Sequence, residues 1–169
     1  MVSDWTSFRD IGQSFGGVIL TEQEYKRVES AYIDVALAFL AEAGLTTMRV
    51  AGLENSKSRT PGFHEGDVLD CQRLREIIGG SLRGEFWCRI EGEDSFIHFG
   101  WDYYMYIYMY IGVSHRCPVA EQKAARLGLY VEGFASPIIK NKPLFWTNIS
   151  NIESECAGTG VLERIRARG

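Results

Sequence analysis

Apolar residues recur every three or four positions between Thr21 and Ala43: Tyr25, Val28, Tyr32, Val35, Ala36, Phe39, Leu40 and Ala43. That period places them on one face of an α-helix. Thr21 lies three residues before Glu24, the spacing of a capping box, and Gly44 supplies the stop. The stretch 45–53, with Thr46, Thr47 and Val50, favours extended structure. Residues 55–66 are polar, contain Pro61 and Gly62, and predict a loop. Asp67 then stands where it can cap a second helix. Its apolar face would hold Val68 or Leu69, Cys71, Leu74, Ile77 and Ile78, with Gly79-Gly80 as its end.

From Glu85 to Glu91 the period changes to two. Phe86, Cys88 and Ile90 alternate with Trp87 and Arg89, the pattern of a half-buried strand. Glu91-Gly92-Glu93-Asp94 reads as a turn, and Ser95 onward as an antiparallel partner. Pro118 suits the first turn of a third helix reaching about Leu127, with Gly128 closing it. Strands are expected over 129–135 and near 144–146. Val161–Ile165 fits a strand or a short helix, and pattern does not decide. Two helices preceding a hairpin-rich middle imply an α+β fold: a mainly antiparallel β-sheet with two or three helices packed on one face. The other face would be free for a ligand or partner. No repeat or linker divides the chain, so one domain over 1–169 is expected.

The most unusual stretch is FIHFGWDYYMYIYMYI, from Phe96 to Ile111. As extended chain it sorts by parity. Odd positions give Ile97, Phe99, Trp101, Tyr103, Met105, Ile107, Met109 and Ile111, an apolar side. Even positions give Phe96, His98, Gly100, Asp102, Tyr104, Tyr106, Tyr108 and Tyr110, a side of hydroxyl-bearing rings. Sixteen residues is long for one strand, so a bend or bulge is expected near Gly100–Asp102. Tyrosine combines large contact area, one hydroxyl and few rotatable bonds, which suits a recognition surface. A tyrosine strand covered by another part of the chain is the competing reading.

Composition narrows the classes. The chain has 169 residues, 46% hydrophobic and 24% charged, as a folded globular protein has. Its start lacks the basic and apolar stretches of a secretory leader, and no apolar run reaches the roughly 18 residues of a membrane span. A cytoplasmic protein with reduced thiols at Cys71, Cys88, Cys117 and Cys156 is therefore expected. Residues 1–102 carry 17 acidic and 10 basic side chains, a net of −7, whereas residues 103–169 carry a net of +3. An acidic first part is poorly suited to a phosphate backbone and better suited to a basic protein partner. A merely solvated acidic surface would give the same count.

Candidate chemistry is sparse. His98, Asp102 and Tyr104 could form an acid–base group, but along one strand positions 98 and 102 lie about 13 Å apart. His115 and Cys117 have a metal-ligand spacing with no further ligands attached to it. Gly12-Gln13-Ser14-Phe15-Gly16-Gly17 lacks the lysine and hydroxyl residue of a phosphate loop. No cofactor, metal or nucleic-acid motif is expected.

The segments Glu85-Phe86-Trp87-Cys88-Arg89-Ile90-Glu91 and Phe96–Ile107, in the order long helix, strand, helix, aromatic hairpin, resemble small bacterial immunity proteins of polymorphic and contact-dependent toxin systems. The resemblance covers roughly residues 20–112 and does not extend to Tyr108-Met109-Tyr110 or beyond Pro118. It implies a non-catalytic inhibitor that binds a cognate toxin domain, such as a cationic nuclease, and covers its active site. The expected contact residues are His98, Asp102, Tyr104, Tyr106, Tyr108, Tyr110 and the turn acids Glu91, Glu93 and Asp94. The alternatives are an adaptor or self-associating regulatory subunit using the same surface, and a small enzyme using His98, Asp102 and Tyr104.

Overall fold

A computed structural model describes residues 7–54, 62–93, 95–101, 107–113, 115–135 and 145–150, with backbone alone at positions 100, 101, 107, 108, 110, 133–135, 145–148 and 150. A 3-10 turn, Phe8–Asp10, leads into a small hairpin of β1 (Ser14–Phe15) and β2 (Val18–Ile19). Gly16 and Gly17 join its strands with φ of 57° and 83°, the positive pair that a two-residue hairpin turn requires. These glycines therefore serve a turn.

Helix α1, Glu22–Glu42, matches the predicted periodicity. Thr21 caps it by accepting a hydrogen bond from the Glu24 backbone N–H at 3.1 Å. The reciprocal half of the box is replaced, because the Glu24 carboxylate binds Arg27 through two bonds of 2.8 Å. Tyr25, Val28, Tyr32, Val35, Ala36, Phe39 and Leu40 are all buried.

Helix α2, Cys71–Leu82, departs from expectation at both ends. Its cap is Asp70, whose carboxylate accepts from the Arg73 N–H at 2.8 Å. Asp67 instead accepts from the His64 N–H and pairs with Arg73, at 3.1 and 2.6 Å. Gly79 and Gly80 lie within the helix. The reason is packing: a Cβ on Gly80 would come within 2.6 Å of the Phe86 ring. Gly80 lets the ring reach the helix backbone, and that close approach outweighs the helix-propensity cost of glycine, about 1 kcal/mol.

Seven strands form an antiparallel sheet in the order β4-β3-β5-β6-β7-β9-β8. They are β3 (Met48–Glu54), β4 (Val68–Leu69), β5 (Trp87–Glu91), β6 (Phe96–Trp101), β7 (Ile107–Val113), β8 (Tyr130–Ala135) and β9 (Phe145–Ser150). Helix α3, Pro118–Arg126, precedes β8. The three helices pack on one face of this sheet, as the α+β reading expected.

The aromatic stretch is a hairpin and not one bent strand. Strand β6 pairs with β7 antiparallel, with Ile97 opposite Ile111 and Phe99 opposite Met109. Odd positions meet odd positions, so the predicted parity survives the reversal. Ile97, Phe99, Met109 and Ile111 are buried. Met105 lies outside the described residues. The even residue Phe96 is also buried, at 6% exposure. Its ring lies against Gly112, the residue opposite it, where a Cβ would collide with it.

At the C-terminal end of α2, Arg83 bridges two carboxylates, Glu29 of α1 at 2.7 Å and Glu85 at 2.8 Å. The Glu29 side chain is only 13% exposed, and burial raises its pKa above the ordinary value.

Two stability outcomes follow from this packing. Gly80→Ala should lower the free energy of unfolding by about 1–3 kcal/mol in urea titration, whereas an alanine in an open helix position would raise it. Arg83→Ala should cost about 3 kcal/mol, because a buried Glu29 carboxylate loses its counter-charge. Adding Glu29→Gln should recover much of that loss, and equal unfolding of the single and double variants would contradict the account.

Candidate functional site

The face of the sheet away from the helices carries the candidate site. On β5, Cys88 and Ile90 point into the core, while Trp87, Arg89 and Glu91 are partly exposed. The ladder places Arg89 directly opposite His98 on β6. His98 in turn stands opposite Tyr110 on β7, Tyr110 opposite Asn148, and Asn148 opposite Glu132. Residues directly opposite in an antiparallel ladder are neighbours on one face, so the register lines up Arg89, His98, Tyr110, Asn148 and Glu132. An adjoining row contains Arg49, Glu91, Phe96 and Gly112.

The His98 ring stacks on Phe96, with centroids 4.5 Å apart and planes at 40°. Its pKa lies below the ordinary 6.5, first because burial disfavours the imidazolium and second because Arg89 is nearby. The neutral ring is the form at neutral pH. Trp87 is fixed by its Nε1–H donating to the Phe99 carbonyl at 3.1 Å. The Arg89 guanidinium lies over Gly52, where any Cβ would come within 3.3 Å of Nε. Gly52 has φ of 58° and sits at an irregularity in the β3–β5 register. The Gly52 and Leu53 N–H groups at this irregularity both donate to the Glu65 carboxylate at 3.0 Å.

The predicted contact residues separate accordingly. His98 and Glu91 belong to this face, and Glu93 is exposed in the β5–β6 turn. Tyr108 and Tyr110 occupy β7, an interior strand between β6 and β9, opposite Gly100 and His98. Asp94, Asp102, Tyr104 and Tyr106 lie outside the described residues, so the expected His98–Asp102–Tyr104 group does too. Glu91 is not the start of a purely acidic turn. It is paired across the ladder with Arg49 and lies 3.4 Å from Arg89. Trp87, Arg89 and Arg49 were missing from the expected contact set. Their signal was the same alternation that assigned Cys88 and Ile90 to the core.

His115 and Cys117 do not converge. His115 is exposed, whereas Cys117 is buried with its Sγ 3.9 Å from the Phe39 carbonyl. Burial, with help from Glu42 and Glu121, pushes the Cys117 thiol up to about 11, so it stays protonated. Among the described residues no group of three or more His, Cys, Asp or Glu side chains could hold a metal ion. A half-open depression of about 310 Å³ lies between α3 and β8, lined by Arg116, Glu121, Ala125, Leu129, Tyr130 and Val131. Its charged groups are paired: Arg116 donates twice to the Glu121 carboxylate at 3.1 Å.

Comparison of the chain with protein-family models, with curated proteins and with solved structures finds no match.

The lowered pKa of His98 sets a pH dependence. As pH falls below about 7, the unfolded chain takes up the His98 proton first, so the folded state loses stability until the folded pKa is passed. His98→Gln should therefore lose less stability than the parent chain as pH falls from about 7 through the ordinary histidine range. Equal losses in chemical denaturation would exclude His98 as the titrating group.

Proposed function

We propose that the chain is an immunity-type inhibitor, which docks a cognate bacterial toxin domain on the open face of its sheet and occludes that toxin's active site. The observation that carries this reading is the asymmetry of the sheet. Helices cover one face, while Trp87, Arg89, Glu91 and His98 stand partly exposed on the other. Tryptophan and arginine are the residue types that most often dominate binding energy. Here both sit on β5, the third strand from one end of the described sheet, with a neighbouring strand on each side.

The rest of the site is consistent with contact more than with turnover. His98 is stacked on a phenylalanine and faces an arginine. That arrangement supplies a neutral ring, and among the described residues no carboxylate is hydrogen-bonded to it to orient it as a base. The resemblance of residues 20–112 to immunity proteins points the same way. The acidic excess of residues 1–102 would speed encounter with a cationic toxin, and short-range contacts on the sheet would set specificity.

The test is co-purification with the toxin domain encoded beside the gene, together with rescue of cells expressing that toxin. A stoichiometric complex and rescue are expected. Trp87→Ala and Tyr110→Ala should each weaken the complex by about tenfold or more, whereas Lys26→Ala, on the exposed side of α1, should leave it unchanged. A folded protein that neither binds the toxin nor protects cells would refute the reading.

A further inference from the structure

Arg89 and His98 are direct cross-strand neighbours on the open face. A guanidinium is thus paired with a neutral imidazole, and among the described residues the one carboxylate that acts on both is Glu91, an ion-pair partner of Arg89 that also favours the protonated form of His98. The surrounding charges are Arg49, Glu91 and Glu65, with Tyr110 at the register position on the far side of His98. Glu65 accepts two backbone N–H groups of the β3 irregularity and feels the Arg89 charge. Glu91 forms an ion pair with Arg89 Nη1 at 3.4 Å, longer than the roughly 2.7–2.9 Å of a charge-assisted bond, which leaves N–H donors of the guanidinium without a close carboxylate among the described residues. Arg49 Nη1 is directed to the Gly66 carbonyl at 3.3 Å.

The Arg89 side chain is 42% exposed, yet its guanidinium is positioned by the space over Gly52. A guanidinium carries five N–H donors in a fixed fork, matched to a carboxylate. Beside it, His98 is held by its stack on Phe96. Packing of the guanidinium over Gly52 and of the ring on Phe96 restricts both groups before contact, which reduces the ordering cost of binding.

We infer that Arg89 and His98 form a carboxylate-anchoring site, which receives an aspartate or glutamate side chain of the docked protein. The inference rests on the open-face docking reading and specifies its chemistry. It is compatible with a toxin that is cationic overall, because net charge governs encounter and a single buried carboxylate governs register. A carboxylate seated there stabilises the imidazolium, so occupancy raises the His98 pKa toward or beyond its ordinary value.

The full-length protein is titrated with N-acetyl-glutamate amide, whose one carboxylate is that of a glutamate side chain, and with N-acetyl-glutamine amide as its uncharged counterpart. NMR signals of the His98 ring and the Arg89 Nε–H report binding at constant ionic strength. The glutamate compound should act saturably, at least about tenfold more tightly than the glutamine compound, and should raise the His98 pKa. Arg89→Gln should abolish that preference while leaving the rest of the spectrum folded. An equal response to the two compounds, or a preference that persists in Arg89→Gln, overturns the anchor. The two readings fail separately. A toxin complex that forms equally well with Arg89→Gln removes the anchor and leaves docking intact. A saturable glutamate site in a protein that captures no toxin keeps the anchor and removes the docking partner.

Discussion

A row of aliphatic side chains runs across the middle of the sheet: Val50, Ile90, Ile97 and Ile111, each paired directly with the next and each 0–2% exposed. They share one core with Val35, Ala36 and Phe39 of α1, which are fully buried. Strand side chains alternate with a period of two, so a slip of one residue in any of these pairings would turn that strand's apolar set toward water. The row thereby fixes four strands in register. It also fixes what stands on the reverse side, because Arg89 and His98 are flanked in sequence by these core residues. The open surface is specified by the core beneath it.

The acidic excess of the first 102 residues has a second role in the fold. Asp70 caps α2, Asp67 holds Arg73 and the His64 N–H, and Glu65 satisfies the backbone at the β3 irregularity. These bonds hold the Asp67 and Glu65 carboxyls below their ordinary pKa, so both stay ionised at neutral pH. Their charge still contributes to the long-range field, while their lone pairs are directed inward. A charge count made from sequence sees the first property and not the second.

Much of the architecture was legible because period and end signals agree locally. Thr21 and Gly44 bracket α1, Pro118 and Gly128 bracket α3, and the alternation of Phe86, Cys88 and Ile90 assigns the face of β5. The errors came where a distant contact overrides local preference. Gly79-Gly80 reads as a stop until the Phe86 ring is seen against Gly80. Asp67 and Asp70 are both good caps by composition, and the two-residue pairing of Val68 and Leu69 with β3 decides for Asp70. The reversal between Trp101 and Ile107 carries no glycine or proline in sequence, so the hairpin looked like one long strand. Within the candidate surface, the tyrosines drew attention by their number. Trp87 and Arg89 were legible as the wet side of a strand, but their pairing with His98 depends on register, which no single segment contains.

Helix α3 has no side-chain cap of its own, since Cys117 at its N-cap position makes no such bond. Its first-turn N–H groups at Val119 and Ala120 donate instead to the Glu42 carboxylate at 3.2 and 2.8 Å, from the last residue of α1. A nine-residue helix is too short to persist alone in water. The acceptor for its opening turn is supplied only when the end of α1 has come into place. The first turn of α3, and with it the start of the segment that leads into β8, is therefore anchored to the end of α1, so the β8 edge of the sheet takes its position from a residue far back in the chain.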